Sequence, residues 1–340
     1  MSRVVTFGEI MLRLAPEGYY RFVQASSLGA TYGGAEANVA VSLANFGIDS
    51  LYVTKLPKHE IGQAAVNYLR QFGVDTSKIV RGGDRVGIYF LEKGASQRAS
   101  KVIYDRAFSA IAKAQSADFN WDDIFNGACW FHFTGITPAL GDNVAEICLE
   151  ALKAAKAKGL TVSCDLNYRK NLWSKEKAGE VMTRLTPYID LCVANEEDAA
   201  DVFGIKAKDS DVISGSLSHE GYKDVAKTMV ERFGFKQAAI TLRESLSADD
   251  NNWAGMFFDG KDFYFSKKYS VHIVDRVGGG DAFSAGLIYG SLKGLPPQES
   301  LELAAAASCL KHSIEGDFNM VSLDEAKKLA GGDASGRVQR

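Results

Sequence analysis

The sequence lacks the features that mark membrane and secreted proteins. It has no run of 18 apolar residues, which argues against a transmembrane helix. Its first residues lack the apolar core of a secretory signal. The five cysteines are widely spaced and form no CxxC pair or zinc-type pattern, so we interpret them as buried, reduced thiols. Together these absences predict a cytoplasmic location.

The chain also lacks an excess of positive charge. Its 340 residues include 39 Lys and Arg against 42 Asp and Glu, a net charge of −3. Such a balance gives no basic surface for nucleic acid, and we expect no nucleic-acid partner. The composition, 46% hydrophobic and 24% charged, is that of an ordinary globular protein. This length allows one large α/β domain or two domains.

Three common catalytic motifs are missing as well. No GxxxxGK[ST] segment occurs, which excludes a P-loop nucleotide site. No GxGxxG follows the first predicted strand, which argues against a nicotinamide dehydrogenase. The sequence contains neither an HExxH motif nor a Cys/His cluster, so it does not predict a metal site built from such ligands.

Short apolar runs alternate with amphipathic stretches along most of the chain. The runs predicted to be strands are 4–7, 51–54, 130–133, 160–164, 191–194 and 238–242. The stretches predicted to be helices are 38–46, 62–72, 143–158, 175–186, 221–233, 281–292, 297–313 and 323–330. This alternation predicts an α/β protein with a mostly parallel central sheet covered by helices on both faces.

Two segments interrupt the alternation. Residues 11–31 form a partly extended arm, and residues 87–92 and 101–104 read as a β-hairpin without an intervening helix. We predict a small β-sheet lid built from about residues 11–32 and 86–106. The alternative is that both segments are exposed surface loops.

Polar residues follow four of the predicted strands. They are Thr134-Gly135-Ile136, Asp165-Leu166-Asn167-Tyr168-Arg169, Asn195-Glu196-Glu197-Asp198 and Arg243-Glu244-Ser245. In wound α/β sheets, ligands bind beyond the carboxyl ends of the strands. One such residue alone would be explained as a cap or turn, but four in succession predict a site at this edge.

A glycine-rich segment, Gly278-Gly279-Gly280-Asp281, precedes a predicted helix. Backbone N–H groups without side chains in the way can face an anion, and the helix N-terminus adds partial positive charge. Asp281 at the first turn is expected to be the N-cap and to lie beside a bound phosphate, where it can accept a proton. The alternative is a plain glycine turn in which Asp281 only caps the helix.

These motifs resemble those of the ribokinase-like (PfkB) sugar kinases. Asp275-Arg276-Val277-Gly278-Gly279-Gly280-Asp281 is similar to that family's D-T-x-G-A-G-D signature, and residues 33–40 are similar to its G-G-x-x-x-N-x-A segment. The resemblance runs from Val4 to about Ala330. It implies a three-layer α/β/α domain over 1–330, with the lid inside it, and it implies ATP and Mg²⁺ as cofactors. The last residues, 331–340, are small and polar, which predicts a disordered tail.

Within the family, the chain most resembles the kinases of 2-keto-3-deoxygluconate. The similar segments include Gly87–Phe90, Val102–Arg106, Asp165–Arg169 and Lys311–Asn319. The resemblance implies Asp281 as base, the glycines Gly278, Gly279 and Gly280 as anion hole, and a sugar-acid site of Gly34, Asn38, Tyr89, Tyr104, Arg106, Ile136, Arg169 and Asp317. Arginines suit a sugar acid, because guanidinium groups hold carboxylates with paired hydrogen bonds.

The nucleotide side follows the family pattern less closely. The resemblance implies Asn167, Asn195 and Ser308 as nucleotide-binding residues, with the adenine against the helix at 304–311. We predict that Arg243 or Ser245 contacts the nucleotide phosphates, and the alternative is that Arg243 faces solvent. Asn195 and Asp198 would hold Mg²⁺ indirectly through water. Arg243 stands where the family often has glycine, and Asp198 stands where it has glutamate.

These observations leave rival functions open. A ribokinase-like kinase of a neutral sugar such as fructose or ribose would not need carboxylate-binding arginines. A sugar-acid sensor without catalysis would not need Asp281. The open edge of the lid predicts a homodimer formed through the lids.

Overall fold

The computed structural model describes residues 2–206, 219–334 and 336. The helices of the described residues are α1 (Ala35–Asn45), α2 (Glu60–Arg70), α3 (Trp121–Ile124), α4 (Asp142–Ala157), α5 (Lys175–Leu185), α6 (Glu196–Phe203), α7 (His219–Phe233), α8 (Gly279–Leu292), α9 (Pro297–Lys311) and α10 (Leu323–Ala330). Of the predicted tail at 331–340, residues 335 and 337–340 lie outside the described residues.

Strands alternate with these helices through the first two thirds of the chain. They are β1 (Arg3–Phe7), β2 (Met11–Ala15), β3 (Gly29–Gly33), β4 (Asp49–Val53), β5 (Lys55–Leu56), β6 (Val80–Arg81), β7 (Ile88–Glu92), β8 (Lys101–Asp105), β9 (Ala128–Thr134), β10 (Thr161–Asp165), β11 (Leu191–Asn195), β12 (Gln237–Ser245), β13 (Asp250–Phe258), β14 (Phe263–Phe265) and β15 (Tyr269–His272).

The large sheet has nine strands in the order β14-β13-β12-β11-β10-β9-β1-β4, with β15 also paired to β13. The six strands from β12 to β4 are parallel, β13 pairs antiparallel with β12, and β14 and β15 pair antiparallel with β13. The mostly parallel sheet predicted from the sequence is therefore confirmed. The three antiparallel strands were not predicted.

Both faces of the large sheet are covered, because successive side chains of each strand point to opposite faces. On β11, Cys192 and Ala194 join one buried cluster together with residues of α4 to α7. Leu191 and Val193 join a second cluster with residues of α1, α8, α9 and α10. The chain thus has three layers, helices on sheet on helices.

A separate four-stranded sheet, here called the small sheet, has the order β3-β2-β7-β8. The predicted hairpin is present, since β7 and β8 pair antiparallel from Ile88 opposite Asp105 to Glu92 opposite Lys101. β2 pairs with β3 antiparallel and with β7 in parallel. Among the described residues, no helix has both the length and the apolar character of a membrane span.

Candidate active site

A cavity of about 380 Å³ lies at the carboxyl edge of the parallel strands, between the large and small sheets. Most of the predicted site residues line it: Gly34, Asn38, Tyr89, Tyr104, Arg106, Ile136, Asn167, Arg169, Asn195, Asp198, Arg243, Gly278, Gly279, Gly280, Asp281 and Asp317. A wider cleft of about 940 Å³ adjoins it and shares Tyr104, Arg106 and Arg169. The glycine turn lines the smaller cavity, which we therefore take as the candidate active site.

The glycine turn begins α8 two residues earlier than predicted. Gly278 is the N-cap, with a left-handed φ of 87°, and the helix starts at Gly279. A side chain at Gly278 would collide with the backbone oxygen of Asp317, so glycine is required there. The prediction that Asp281 is the N-cap is wrong. Asp281 lies inside the first turn and its carboxylate is free for another role.

Asp281 is almost completely buried on the floor of the cavity. Its Oδ2 accepts a hydrogen bond of 2.7 Å from Nδ2 of Asn38. Burial raises the pKa of Asp281 to about 7, although the bond from Asn38 opposes the shift. A carboxylate with this pKa can take a proton near neutral pH.

α1 holds Asn38 in place opposite Asp281. The N-cap of α1 is Gly34, and a side chain there would collide with the backbone oxygen of Glu9. Gly34 thus lets α1 approach the chain after β1 closely. Oδ1 of Asn38 accepts a hydrogen bond of 3.3 Å from the Gly34 amide, which orients the Asn38 side chain.

Arg106 and Arg169 were both predicted to bind a substrate carboxylate, but they differ in their present partners. Nε of Arg106 donates to Glu9 over 2.8 Å, and its Nη2 donates to the same Glu9 oxygen. Glu9 is buried and also accepts from Ser109 over 2.6 Å. Arg106 therefore already has a carboxylate partner, which the sequence did not predict.

Arg169 is exposed and has no side-chain ion pair within the described part of the chain. The chain reaches it through a tight loop after β10, where Asn167 has a left-handed φ of 38°. The amides of Asn167 and Tyr168 donate to the side chains of Asp165 and Asp198 over 3.2 and 3.1 Å, which fix the loop. The guanidinium of Arg169 is thus available to a ligand.

The two tyrosines of the small sheet face each other across β7 and β8, with ring centroids 6.2 Å apart. The Tyr89 hydroxyl is buried and donates over 2.6 Å to Asp317, whereas Tyr104 is 38% exposed. Tyr104 also lies against the Arg106 guanidinium, 5.3 Å from Cζ to the ring centre. Tyr104 therefore presents its hydroxyl more freely to the cavity than Tyr89 does.

Arg13 of β2 joins the small sheet to the glycine turn through buried ion pairs. Its Nη2 lies 2.5 Å from Asp275, and its Nη1 lies 2.9 Å from Asp317. Burial disfavours the charged form of Arg13, but the two carboxylates outweigh that effect and raise its pKa. Asp317, predicted to bind sugar, is thereby already paired with Arg13 and Tyr89.

Lys311, at the end of α9, is completely buried beneath the glycine turn. Its Nζ donates to the Ile314 backbone oxygen over 3.1 Å, and its Cε would lie 3.2 Å from a Cβ at Gly278. Burial lowers the pKa of Lys311, and the carboxylates of Asp275 and Asp317 oppose that shift. The buried Lys311 side chain thus packs against the glycine turn.

The nucleotide side departs from the sequence-based expectation at two residues. Arg243 is exposed and lines the cavity, whereas Ser245 is not among the described lining residues. Ser308 is completely buried, and its hydroxyl donates over 2.6 Å to the Gly279 carbonyl. Ser308 therefore supports the glycine turn and is inaccessible to a nucleotide. Of the helix at 304–311, where the adenine was expected, residues 304–308 and Lys311 are buried, whereas Cys309 and Leu310 are partly exposed.

Two acidic side chains, Asp165 and Asp198, line the same cavity as Arg243. Burial raises the pKa of Asp165 well above its usual range, and the charges of Asp198 and Asp281 add to the shift. Burial also raises the pKa of Asp198 to about 6, and the charge of Arg169 opposes that shift.

Oδ1 of Asn195 caps α6 by accepting from the Asp198 amide over 2.7 Å. Among the described residues no cluster of three ligating side chains could cage a metal. Two repelling carboxylates beside a cavity nevertheless suit Mg²⁺, which keeps most of its waters.

Glu9, Arg13 and Lys311 have no role in the sequence-based prediction, although two of them leave a signal. Arg13 interrupts the apolar strand Met11-Leu12-Arg13-Leu14, and Lys311 ends an apolar helix face. A charge inside an apolar stretch usually has a buried partner. The identity of that partner depends on residues far away in the sequence.

Comparison with known proteins identifies relatives along nearly the whole chain. A family model described as pfkB family carbohydrate kinase matches residues 1–321. A 2-dehydro-3-deoxygalactonokinase of Haloferax volcanii is 33% identical over 336 residues, covering 98% of each chain. A 2-dehydro-3-deoxygluconokinase of Bacillus subtilis is 28% identical, covering 96% of this chain and 94% of its own.

One protein of known crystal structure has a higher sequence identity to the present chain than these two relatives. It is a 2-dehydro-3-deoxygluconokinase from Thermotoga maritima, 54% identical, with a TM-score of 0.94. The match covers 98% of the present chain and 100% of the other. The present chain and the Thermotoga maritima enzyme therefore share one fold.

Proposed function

The chain belongs to the pfkB family of carbohydrate kinases, and we propose that it transfers the γ-phosphoryl group of ATP to 2-keto-3-deoxygluconate, also called 2-dehydro-3-deoxygluconate. The product is 2-keto-3-deoxy-6-phosphogluconate. The observation that carries this proposal is the buried Asp281 carboxylate on the glycine turn, in one cavity with the Arg169 guanidinium, which has no ion pair among the described residues. The names of the relatives support the substrate class.

The substrate combines a carboxylate with a row of hydroxyls, and the cavity offers a partner for each. Arg169 holds the carboxylate by charge-assisted hydrogen bonds. Arg106 contributes less, because Glu9 already neutralises it. The remaining contacts come from the predicted lining residues Gly34, Asn38, Tyr89, Tyr104, Ile136 and Asp317. Of these, Tyr104 is the freest to bind a sugar hydroxyl.

Asp281 accepts the proton of the attacking 6-hydroxyl. The bond from Asn38 occupies Oδ2 and leaves Oδ1 to face the substrate. As the oxygen–phosphorus bond forms, the bond from Pγ to the bridging oxygen of ADP breaks, and the proton moves to Asp281. The amides at the start of α8 stabilise charge on the transferring group.

ATP binds along the edge from Arg243 to the glycine turn. Arg243 contacts the phosphates, with Asn167 and Asn195 beside them. Asp198 and Asn195 would hold Mg²⁺ through water, and the ion would neutralise part of the phosphate charge.

The small sheet acts as a lid over the sugar acid and as a dimer contact. Its outer strand β8 is an open edge with exposed apolar side chains at Val102 and Ile103. Open strand edges favour pairing with a second copy. We expect a homodimer in sedimentation experiments, and Ile103→Lys shifts it to monomer.

A coupled ADP-release assay tests the proposed reaction. The substrates are 2-keto-3-deoxygluconate, its epimer 2-keto-3-deoxygalactonate, fructose and ribose, each with Mg²⁺-ATP. We expect turnover with a keto acid and little with the neutral sugars. Higher kcat/KM for fructose or ribose would favour the neutral-sugar kinase. Binding of the keto acid without ADP release from any substrate would favour a sensor.

A further inference from the structure

The turn of the small-sheet hairpin contacts the nucleotide side of the molecule. This turn joins β7 to β8, and Ser96 within it has a left-handed φ of 53°. The Ser96 carbonyl accepts from the Ala248 amide over 2.7 Å, and the Ser96 amide donates to Oδ1 of Asp249 over 3.1 Å. The partner segment, residues 246–249, joins β12 to β13 and is here called the bridging loop.

The bridging loop in turn contacts the segment that leads into the glycine turn. Nη2 of Arg276 donates to the Ala248 carbonyl over 2.6 Å. The Asp249 carbonyl accepts from the Ile273 amide over 2.6 Å. Ala248 therefore contacts the small sheet through its N–H and Arg276 through its C=O.

Residues on both sides of the bridging loop in the sequence line the candidate active site. Arg243 precedes the loop and Asn251 follows it, and each lines the cavity. Oδ1 of Asn251 is buried and has no hydrogen-bond partner among the described residues. Arg276 lines the cavity too, two residues before Gly278. A shift of the loop thus moves groups on the nucleotide side.

Arg276 has no carboxylate partner within 4 Å in the described part of the chain, and the Ala248 carbonyl is its side-chain hydrogen-bond acceptor. Burial lowers the pKa of Arg276, and the nearby charge of Arg243 lowers it further. A bound anion relieves this repulsion between two guanidinium groups. The position of Arg276, and with it of the bridging loop, is therefore sensitive to nucleotide phosphates.

We propose that Arg276 is a positioning residue that couples the lid to the nucleotide site through Ala248, so that ATP and the sugar acid each strengthen the binding of the other. The proposal rests on the proposed function for the identity of the two ligands. Phosphates hold Arg276 and the bridging loop in place, and the loop holds the hairpin turn, and with it the small sheet whose Tyr89 and Tyr104 line the cavity. Such coupling must be reciprocal.

Isothermal titration calorimetry tests the coupling. The Kd of a non-hydrolysable ATP analogue with Mg²⁺ is measured with and without saturating 2-keto-3-deoxygluconate, and the reverse titration is measured as well. We expect the full chain to bind each ligand roughly 5–150-fold more tightly in the presence of the other. Arg276→Gln and, independently, Asp249→Ala reduce this factor to near 1. Arg184→Gln, at an exposed ion pair on α5, is the matched control and keeps the factor of the original chain.

The outcomes separate this inference from the proposed function. Failure of both ligands to bind would overturn the proposed function. Tight binding of both ligands with a coupling factor of 1 in the original chain would overturn the inference alone. Unchanged coupling in both folded variants would also overturn it, as would an Arg276→Gln variant that binds ATP weakly but keeps full coupling, since Arg276 would then only contact phosphate. If Arg276→Gln does not fold, the coupling factor of Asp249→Ala alone tests the inference.

Discussion

The Asn38 side chain lies 2.7 Å from the Asp281 carboxylate, although the two residues are 243 positions apart in the chain. The contact joins the first turns of α1 and α8, which pack on the same face of the large sheet. It occupies one oxygen of a buried carboxylate whose pKa is raised to about 7. Asn38 thus orients the group that we propose as the catalytic base.

Replacing Asp281 by asparagine should abolish most turnover. The amide cannot accept the proton, but it has nearly the same shape and can still accept the bond from Asn38. We expect kcat to fall about 10²–10⁴-fold, the usual contribution of a general base. Steady-state kinetics measures kcat, and circular dichroism checks that the variant is folded. Near-normal kcat in a folded variant would contradict the proposed mechanism.

The rate should depend on pH near neutrality. Asp281 must be deprotonated to act as base, and burial raises its pKa to about 7. We therefore expect kcat/KM to fall tenfold per pH unit below about pH 7 and to level off above it. A pH profile of the original chain tests this expectation. A plateau that extends below pH 5 would exclude Asp281 as the titrating base.

The Asp281 carboxylate is expected to lower the free energy of unfolding at neutral pH. Between about pH 4 and 7 the folded state keeps a proton on Asp281 that the unfolded chain releases. The contribution of this group to the free energy of unfolding therefore falls as pH rises through that window. Asp281→Asn should raise the Tm more at pH 8 than at pH 4. An equal change in Tm at both values would argue against the raised pKa.

Arg169 should determine affinity for the sugar acid. Its guanidinium is exposed and unpaired within the described residues, and losing a charged hydrogen bond costs about 1.5–3 kcal/mol. Arg169→Met should therefore lower kcat/KM for the keto acid roughly 10–150-fold and leave the KM for ATP nearly unchanged. Arg184→Met is a surface control. Unaltered kinetics with the keto acid would favour a neutral substrate.

Arg13 should be important for stability. Replacing it by methionine leaves the buried carboxylates of Asp275 and Asp317 without their cation. We expect the free energy of unfolding to fall by about 3–5 kcal/mol in urea titration. The control Arg85→Ala removes an exposed pair with Asp105 and should cost at most about 1 kcal/mol. Equal losses in the two variants would show that Arg13 contributes no more than a surface ion pair.

Much of the large sheet could be predicted because its strands are short apolar runs followed by helical patterns. β1, β9 and β11 lie within two residues of their predicted bounds. β13 to β15 were not predicted, because no helical stretch separates them and they lie outside the strand–helix alternation, although 253–258 and 263–265 are apolar runs. β13 pairs with β12, and β14 and β15 pair with β13, contacts that the local pattern does not reveal.

The glycine turn, Asp281 and the order of the polar strand ends could be read from the amino-acid sequence, because backbone freedom and side-chain chemistry are local properties. Which charges are paired depends on the folded structure. Arg106 is neutralised by Glu9, 97 positions away, and Arg13 by Asp317, 304 positions away, while Arg169 stays available. Buried ions require partners. Only the packing of the small sheet on the large one determines which partner each ion has, and therefore which arginine can bind a substrate.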